Sequence, residues 1–196
     1  MPKTIITELK LLNELKKQQI RRQVPSLALL ALSFMISILL PLFFYHYPSL
    51  ILAILSFVWF RVVAANFRCK QKLIIPDGNL LLSPVTGRVR SIKTAPDYTL
   101  VRIGKSPIDY IEIRSPHDSA QWDNGTIKLQ YKGHNLIFRF ESSHLQQIDS
   151  ADMQAGNIIG YIIGSAVCSI SIPRELALEI KPKTICDAGL TALVSE

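Results

Sequence analysis

Residues 23–60, QVPSLALLALSFMISILLPLFFYHYPSLILAILSFVWF, contain no Asp, Glu, Lys or Arg. As one helix, these 38 residues would be about 57 Å long at about 1.5 Å per residue. A bilayer core is about 30 Å thick. Two spans therefore fit better than one, at about Val24–Phe44 and Leu50–Phe67. Between them, Tyr45-His46-Tyr47-Pro48-Ser49 supplies a proline, polar atoms and two tyrosines suited to a membrane interface. Lys3, Lys10, Lys16, Lys17, Arg21 and Arg22 precede the uncharged run, and Arg61, Arg68, Lys70 and Lys72 follow it. Basic residues on both flanks predict that the N-terminus and everything after the hairpin share the cytoplasmic face. They are a large part of the formal charge of +7, so the basic balance points to anionic membrane phospholipid rather than to nucleic acid. A secretory signal is a poorer fit than a hairpin, because the apolar run is too long and both flanks are basic.

Upstream, residues 4–22 read as an amphipathic helix, with Ile5, Leu9, Leu12 and Leu15 on one face and basic residues opposite. Such a helix suits either the membrane interface or the surface of the following domain. Downstream of Leu73 the pattern changes to short β-rich runs. These are Leu80–Leu82, Arg88–Lys93, Thr99–Ile103, Tyr110–Arg114, Thr126–Tyr131, Leu136–Phe140, Ile158–Ile163, Val167–Ile172 and Ala177–Ile180. Turn signals separate them at 76–78 (Pro-Asp-Gly), 123–125 (Asp-Asn-Gly), 132–135 (Lys-Gly-His-Asn) and 155–157 (Ala-Gly-Asn). The expectation is a mainly β fold with three parts: a basic helix over 1–23, a transmembrane helical hairpin over 24–67 and a compact β domain over 68–196. Cys69, Cys168 and Cys186 form no CxxC and are odd in number, which suggests neither a zinc site nor a disulfide framework.

Two glycine-bearing segments, Ser83–Ile92 and Met153–Ile163, suit the turns of a barrel-sandwich or hammerhead-like domain. Lipoyl and biotinyl carriers use that shape, but they need a lysine at a hairpin tip, and Gly160–Val167 has none. The closer likeness is to the phosphatidylserine decarboxylases, the pyruvoyl-dependent lyases of phospholipid synthesis. Phe67–Gly87 resembles that family's "F-R-(D/N)-P … SPADG" opening segment. Ser106-Pro-Ile-Asp-Tyr-Ile-Glu-Ile-Arg-Ser-Pro116 resembles its "SPxDVHVNRAP" segment. Gly160-Tyr-Ile-Ile-Gly-Ser-Ala-Val-Cys-Ser-Ile-Ser-Ile-Pro173 resembles its processing site, and Ile185–Val194 its closing strand. The likeness covers about residues 50–194.

That resemblance implies self-cleavage between Gly164 and Ser165, with Ser165 converted to the pyruvoyl group that serves as electron sink for loss of CO₂. It implies a pair of small and large subunits after the cut, or a homo-oligomer, and it makes Arg114 a candidate contact for substrate phosphate. The likeness departs where the family keeps its bases. Its Asp and His positions are Thr86 and Ile111, its Gly-Ser-Thr is Gly164-Ser165-Ala166, and its arginine pair is Gln146-Gln147. His117 and Asp118, just after Pro116, are the substitute base pair that the sequence offers. His144 lies in a polar run, and His134 reads as a turn residue. Three readings stay open: an active decarboxylase, an uncleaved relative that binds lipid headgroups or a protein, and a hairpin protein whose β domain joins a larger assembly.

Overall fold

The computed structural model describes residues 3–39, 46–69, 80–123, 125–148 and 153–194. The end of the first expected span (40–44), Tyr45, most of the opening segment with its Pro76-Asp77-Gly78 turn, and Asn124 lie outside the described residues. The chain is mainly β, with two helices followed by antiparallel sheets.

Helix α1 runs without a break over Lys3–Leu39. The amphipathic stretch and the described part of the first expected span are thus one continuous rod. Pro25 lies inside it, and nearby the Ser26 hydroxyl donates to the Gln23 carbonyl at 2.7 Å. Helix α2 covers His46–Ala65, so Pro48 falls in its first turn, where a missing N–H leaves no hydrogen bond unmade.

The helices pack antiparallel. Ser37 donates to Ser49 at 2.8 Å, and farther along, Ser56 donates to the Ser26 carbonyl. The hairpin is inside out by the standards of a water-soluble helix pair. Ser26, Ser33, Ser49 and Ser56 are buried, in pairs seven residues apart along each helix. Phe34 and Phe57 are 67 % and 62 % exposed, and Leu27, Leu30, Met35, Ile51, Ile54, Leu55 and Trp59 are exposed as well. Small residues at the seam let the backbones approach closely, while the outward apolar side chains are uncovered among the described residues. Among the described residues no helix is long and apolar enough to cross a membrane. The described side chains of α2 run without interruption only over 49–65.

Among the described residues ten short strands follow: β1 Gly87–Thr94, β2 Tyr98–Lys105, β3 Glu112–Arg114, β4 Gln121–Asp123, β5 Thr126–Tyr131, β6 His134–Glu141, β7 Leu145–Gln147, β8 Ile158–Ile162, β9 Ala166–Pro173 and β10 Ile185–Cys186. One sheet has the order β10-β1-β2-β9-β6-β5-β4, and the other β3-β8-β7. Strict alternation explains the larger sheet. Ile127, Leu129 and Tyr131 of β5, and Ala166, Cys168, Ile170 and Ile172 of β9, all turn inward. Strand β8 is central in the small sheet and buried almost throughout. The β5–β6 hairpin closes on Lys132 and Gly133, with φ of 47° and 80°, the two positive values that a tight two-residue hairpin turn requires.

Two expected strands are corrected. Leu80–Leu82 and Ala177–Ile180 form only isolated bridges, Leu82 with Ala192 and Leu178 with Val194. Both are short apolar runs that pack into the core without a ladder to extend. β4, β7 and β10 are too short to show a period of their own.

Two apolar clusters hold this together. The larger fills the space between the sheets. The smaller joins Leu15 of α1, Val63 of α2 and Phe67 to Ile111, Ile148, Tyr161 and Ile163 of the β domain. Of the predicted amphipathic face of α1, Leu15 has a described side chain, and it is 4 % exposed. Ile5, Leu9 and Leu12 have none described.

Gly160, read from sequence as a turn glycine, lies inside β8. A Cβ there would come within 2.6 Å of the Gln146 carbonyl oxygen and 2.9 Å of the Trp122 ring. Gly160→Ala is expected to destabilise the chain by about 1–3 kcal/mol, read as a lowered urea midpoint of the full chain in detergent.

Candidate functional site

The connection from β8 to β9 is Ile163-Gly164-Ser165. Gly164 adopts φ of 85°, a left-handed conformation that a residue with a Cβ enters only with strain, and no atom lies within 4 Å of where its Cβ would be. Ser165 is exposed. The dipeptide thus stands as an open, sharply turned corner between two buried strands.

Lys105 meets this corner from β2, where it pairs with Ala166. It is 1 % exposed. Its ammonium donates to the carbonyl oxygens of Gly164 at 3.0 Å, Ser106 at 3.2 Å and Asp109 at 3.3 Å. Burial pushes its pKa below the ordinary lysine value, and the Asp109 and Glu112 carboxylates pull it back toward the charged form. Asp109 is itself fixed, accepting from the Ser106 amide at 2.6 Å. Sequence reading passed over Lys105. The available signal was a lysine directly preceding Ser106-Pro107, the start of a segment singled out for other reasons.

Ile111 and Thr86, which stand where the sequence comparison expected bases, are committed to the scaffold. Ile111 is 1 % exposed in the cluster beneath the helices, where an ionisable ring would lose its hydration. The Thr86 hydroxyl accepts from the Ala188 amide at 3.2 Å, tying the C-terminal segment to the start of β1.

His117 and Asp118 are not brought to Ser165. Asp118 accepts from the Ala155 amide at 2.7 Å, and the neighbouring Ser115 amide donates to Asn157 at 2.8 Å. Their loop therefore packs beside the residues that enter β8, whereas Ser165 follows the exit of that strand. The five residues of β8 put its ends on the order of 15 Å apart. His117 shares a 2.8 Å hydrogen bond with Ser119 and stands edge-on to Tyr131. Sequence proximity to Pro116 misled because β3 runs antiparallel to β8 and carries the chain away from the corner.

Arg114 is at that same far end. It is 3 % exposed and donates from Nη1 to the Gly156 carbonyl at 2.7 Å. This holds the left-handed turn at Gly156 rather than facing solvent. His134 caps its hairpin and meets Glu175 at 3.1 Å. Cys168 and Cys186 are buried, and burial pushes the Cys186 thiol up to about 11. Among the described residues no group of His, Cys, Asp and Glu could hold a metal ion.

A second feature adjoins the corner. An open pocket of about 360 Å³ is bounded by Gln18, Arg21 and Arg22 of α1 and by Ser143, His144, Leu145, Gln146 and Ile163 of the β domain. Arg22 also lies over the Phe67 ring, 5.7 Å from its centre. No family model, curated protein or solved structure matches the chain.

Arg114→Met is expected to lower stability by about 2 kcal/mol, because it removes a charge-assisted hydrogen bond from a buried carbonyl. His117→Ala should cost less than about 1 kcal/mol. Urea titration of the two variants in detergent checks the ranking.

Proposed function

We propose that the chain is a membrane-anchored, phosphatidylserine-decarboxylase-like protein that cleaves itself between Gly164 and Ser165 and works on phospholipid headgroups. One observation carries this reading: the exposed Gly164-Ser165 corner adjoins, through Ile163, a pocket whose other wall is Arg21 and Arg22, the last charges before the uncharged run. If the inside-out hairpin lies in the bilayer, those arginines stand where lipid phosphates begin, and the serine stands beside them. The outward leucines and phenylalanines and the serine seam of the hairpin support the embedding, since a surface of that kind is covered by lipid or by protein. The basic flanks support a cytoplasmic β domain. The two packed antiparallel sheets are compatible with the hammerhead-like architecture that the resemblance implies.

The corner also suits the pyruvoyl group. Gly164 presents an unhindered carbonyl, and Ser165 is free of the core. When formed, the group supplies a carbonyl that draws electrons from the substrate as CO₂ leaves. In this chain Arg21 and Arg22 hold the headgroup phosphate, Gly164 gives the attacking hydroxyl access, and the clustered Ile111, Tyr161 and Ile163 keep the corner against the helices. A second reading, an uncleaved headgroup-binding relative, is favoured by the structural commitment of Thr86 and Ile111.

Intact mass separates the two. The first expects pieces of 164 and 32 residues from the wild-type chain, the smaller with a blocked N-terminus, and a whole chain from Ser165→Ala. A whole wild-type chain that releases no CO₂ from labelled phosphatidylserine would overturn it. For the pocket, Arg21→Gln combined with Arg22→Gln should weaken binding of short-chain phosphatidylserine about tenfold or more, on the scale of a lost charge-assisted hydrogen bond. Isothermal titration in detergent reads this for the Ser165→Ala chain.

A further inference from the structure

We infer that Lys105 is a catalytic residue of the self-cleavage, stabilising the oxyanion that forms on the Gly164 carbonyl oxygen. The inference rests on the reading above and adds a group that the family resemblance does not supply. Three observations converge on it. The Lys105 ammonium donates to the oxygen of the one carbonyl that Ser165 would attack, at 3.0 Å. It is held there by two further carbonyls, those of Ser106 and Asp109, so it is aimed before any reaction begins. It is buried, at 1 % exposure, so its charge acts through protein rather than through water.

The step balances within the chain. The Ser165 hydroxyl oxygen adds to the Gly164 carbonyl carbon, and the carbonyl electrons move onto the oxygen facing Lys105. Collapse breaks the bond from that carbon to the Ser165 nitrogen and leaves an ester between Gly164 and the Ser165 oxygen. The hydroxyl proton passes to the departing nitrogen through solvent, which reaches the exposed serine. Charge develops on the carbonyl oxygen in the transition state and is absent before and after, so a fixed cation there lowers the barrier and not merely the energy of the turn. Burial lowers the pKa of this ammonium below the ordinary lysine value, and the Asp109 and Glu112 carboxylates oppose that shift.

A clamp that merely tied the two turns together would also use these hydrogen bonds. The two roles differ in what they do to rate. The test follows cleavage of the full chain in detergent by mass over time, for wild type, Ser165→Ala, Lys105→Met, Lys105→Gln and Lys105→Arg, with the thermal midpoint of each recorded. Hydroxylamine, which cuts an ester but not a peptide bond, is added to parallel samples. The expected result is that Lys105→Met slows cleavage about 10²-fold or more, the scale of one lost oxyanion donor. Lys105→Gln and Lys105→Arg, which keep an N–H, should be faster than Lys105→Met at comparable midpoints. Hydroxylamine should release no extra fragment from Lys105→Met, because the ester forms too slowly to accumulate.

Wild-type rates in Lys105→Met would overturn the inference while leaving self-cleavage intact. So would rates that follow the thermal midpoints alone, or a hydroxylamine-sensitive ester accumulating in Lys105→Met. A wild-type chain that stays whole overturns the underlying reading, and the role of Lys105 with it. Should Lys105→Met fail to fold, the order of wild type, Lys105→Arg and Lys105→Gln decides, and equal rates among the three count against the inference.

Discussion

A short relay of backbone hydrogen bonds joins the helical hairpin to the candidate site. The Arg68 carbonyl, just past α2, accepts from the Ile111 amide at 2.9 Å, and the Ile111 carbonyl accepts from the Ile162 amide at 2.7 Å. Ile162 is two residues before Gly164. Leu15, Val63 and Phe67 close over the relay from the helical side, and Ile111, Ile148, Tyr161 and Ile163 from the β side. Burying these side chains excludes water from the relay, where a backbone bond is worth more than in solvent. The Ser165 corner is thereby held at a set position relative to the hairpin rather than on a tether.

This seam accounts for an isoleucine at position 111. The side chain at 111 points into the contact between hairpin and domain, where an apolar group stabilises and an ionisable one would be desolvated. Thr86 likewise serves the C-terminal segment through Ala188. The residues at the positions of the expected bases are parts of the scaffold, and the charged group that reaches the Gly164 carbonyl comes from a different strand. Lys105 can be buried there because the turn over Ser106–Asp109 offers it two carbonyls and the β8–β9 corner a third.

Legibility in the sequence followed the strength of local periodicity. The alternation in Thr126–Tyr131, Leu136–Phe140 and Val167–Ile172 marked strands correctly, because each buries one face and solvates the other. The Lys-Gly-His-Asn signal at 132–135 marked the β5–β6 hairpin, although only Lys132 and Gly133 form the turn and His134 and Asn135 already belong to β6. Leu80–Leu82 and Ala177–Ile180 were apolar for a different reason, burial without pairing, and apolarity alone does not separate the two. Helix α1 crosses residue 23 without a break, because a change from charged to apolar composition need not interrupt a helix. His117 and Asp118 could serve as a base only if the fold turned them toward Ser165, and they lie beside the residues that enter β8, since strand direction is a property of pairing and not of spacing.

The sequence by itself determined the organisation: an uncharged run of 38 residues between basic flanks, then alternating strands punctuated by glycine turns. Those are local properties, set by hydration and backbone sterics within a few residues. Tertiary structure alone decided which groups meet. Lys105 and Gly164 are 59 positions apart, and the pairing of β2 with β9 is what makes them neighbours. Arg21 and Ile163 share a pocket because Leu15 and Val63 pack against Tyr161. Chemistry between distant side chains depends on sheet register and on the docking of the hairpin, and neither is written in any single stretch of the chain.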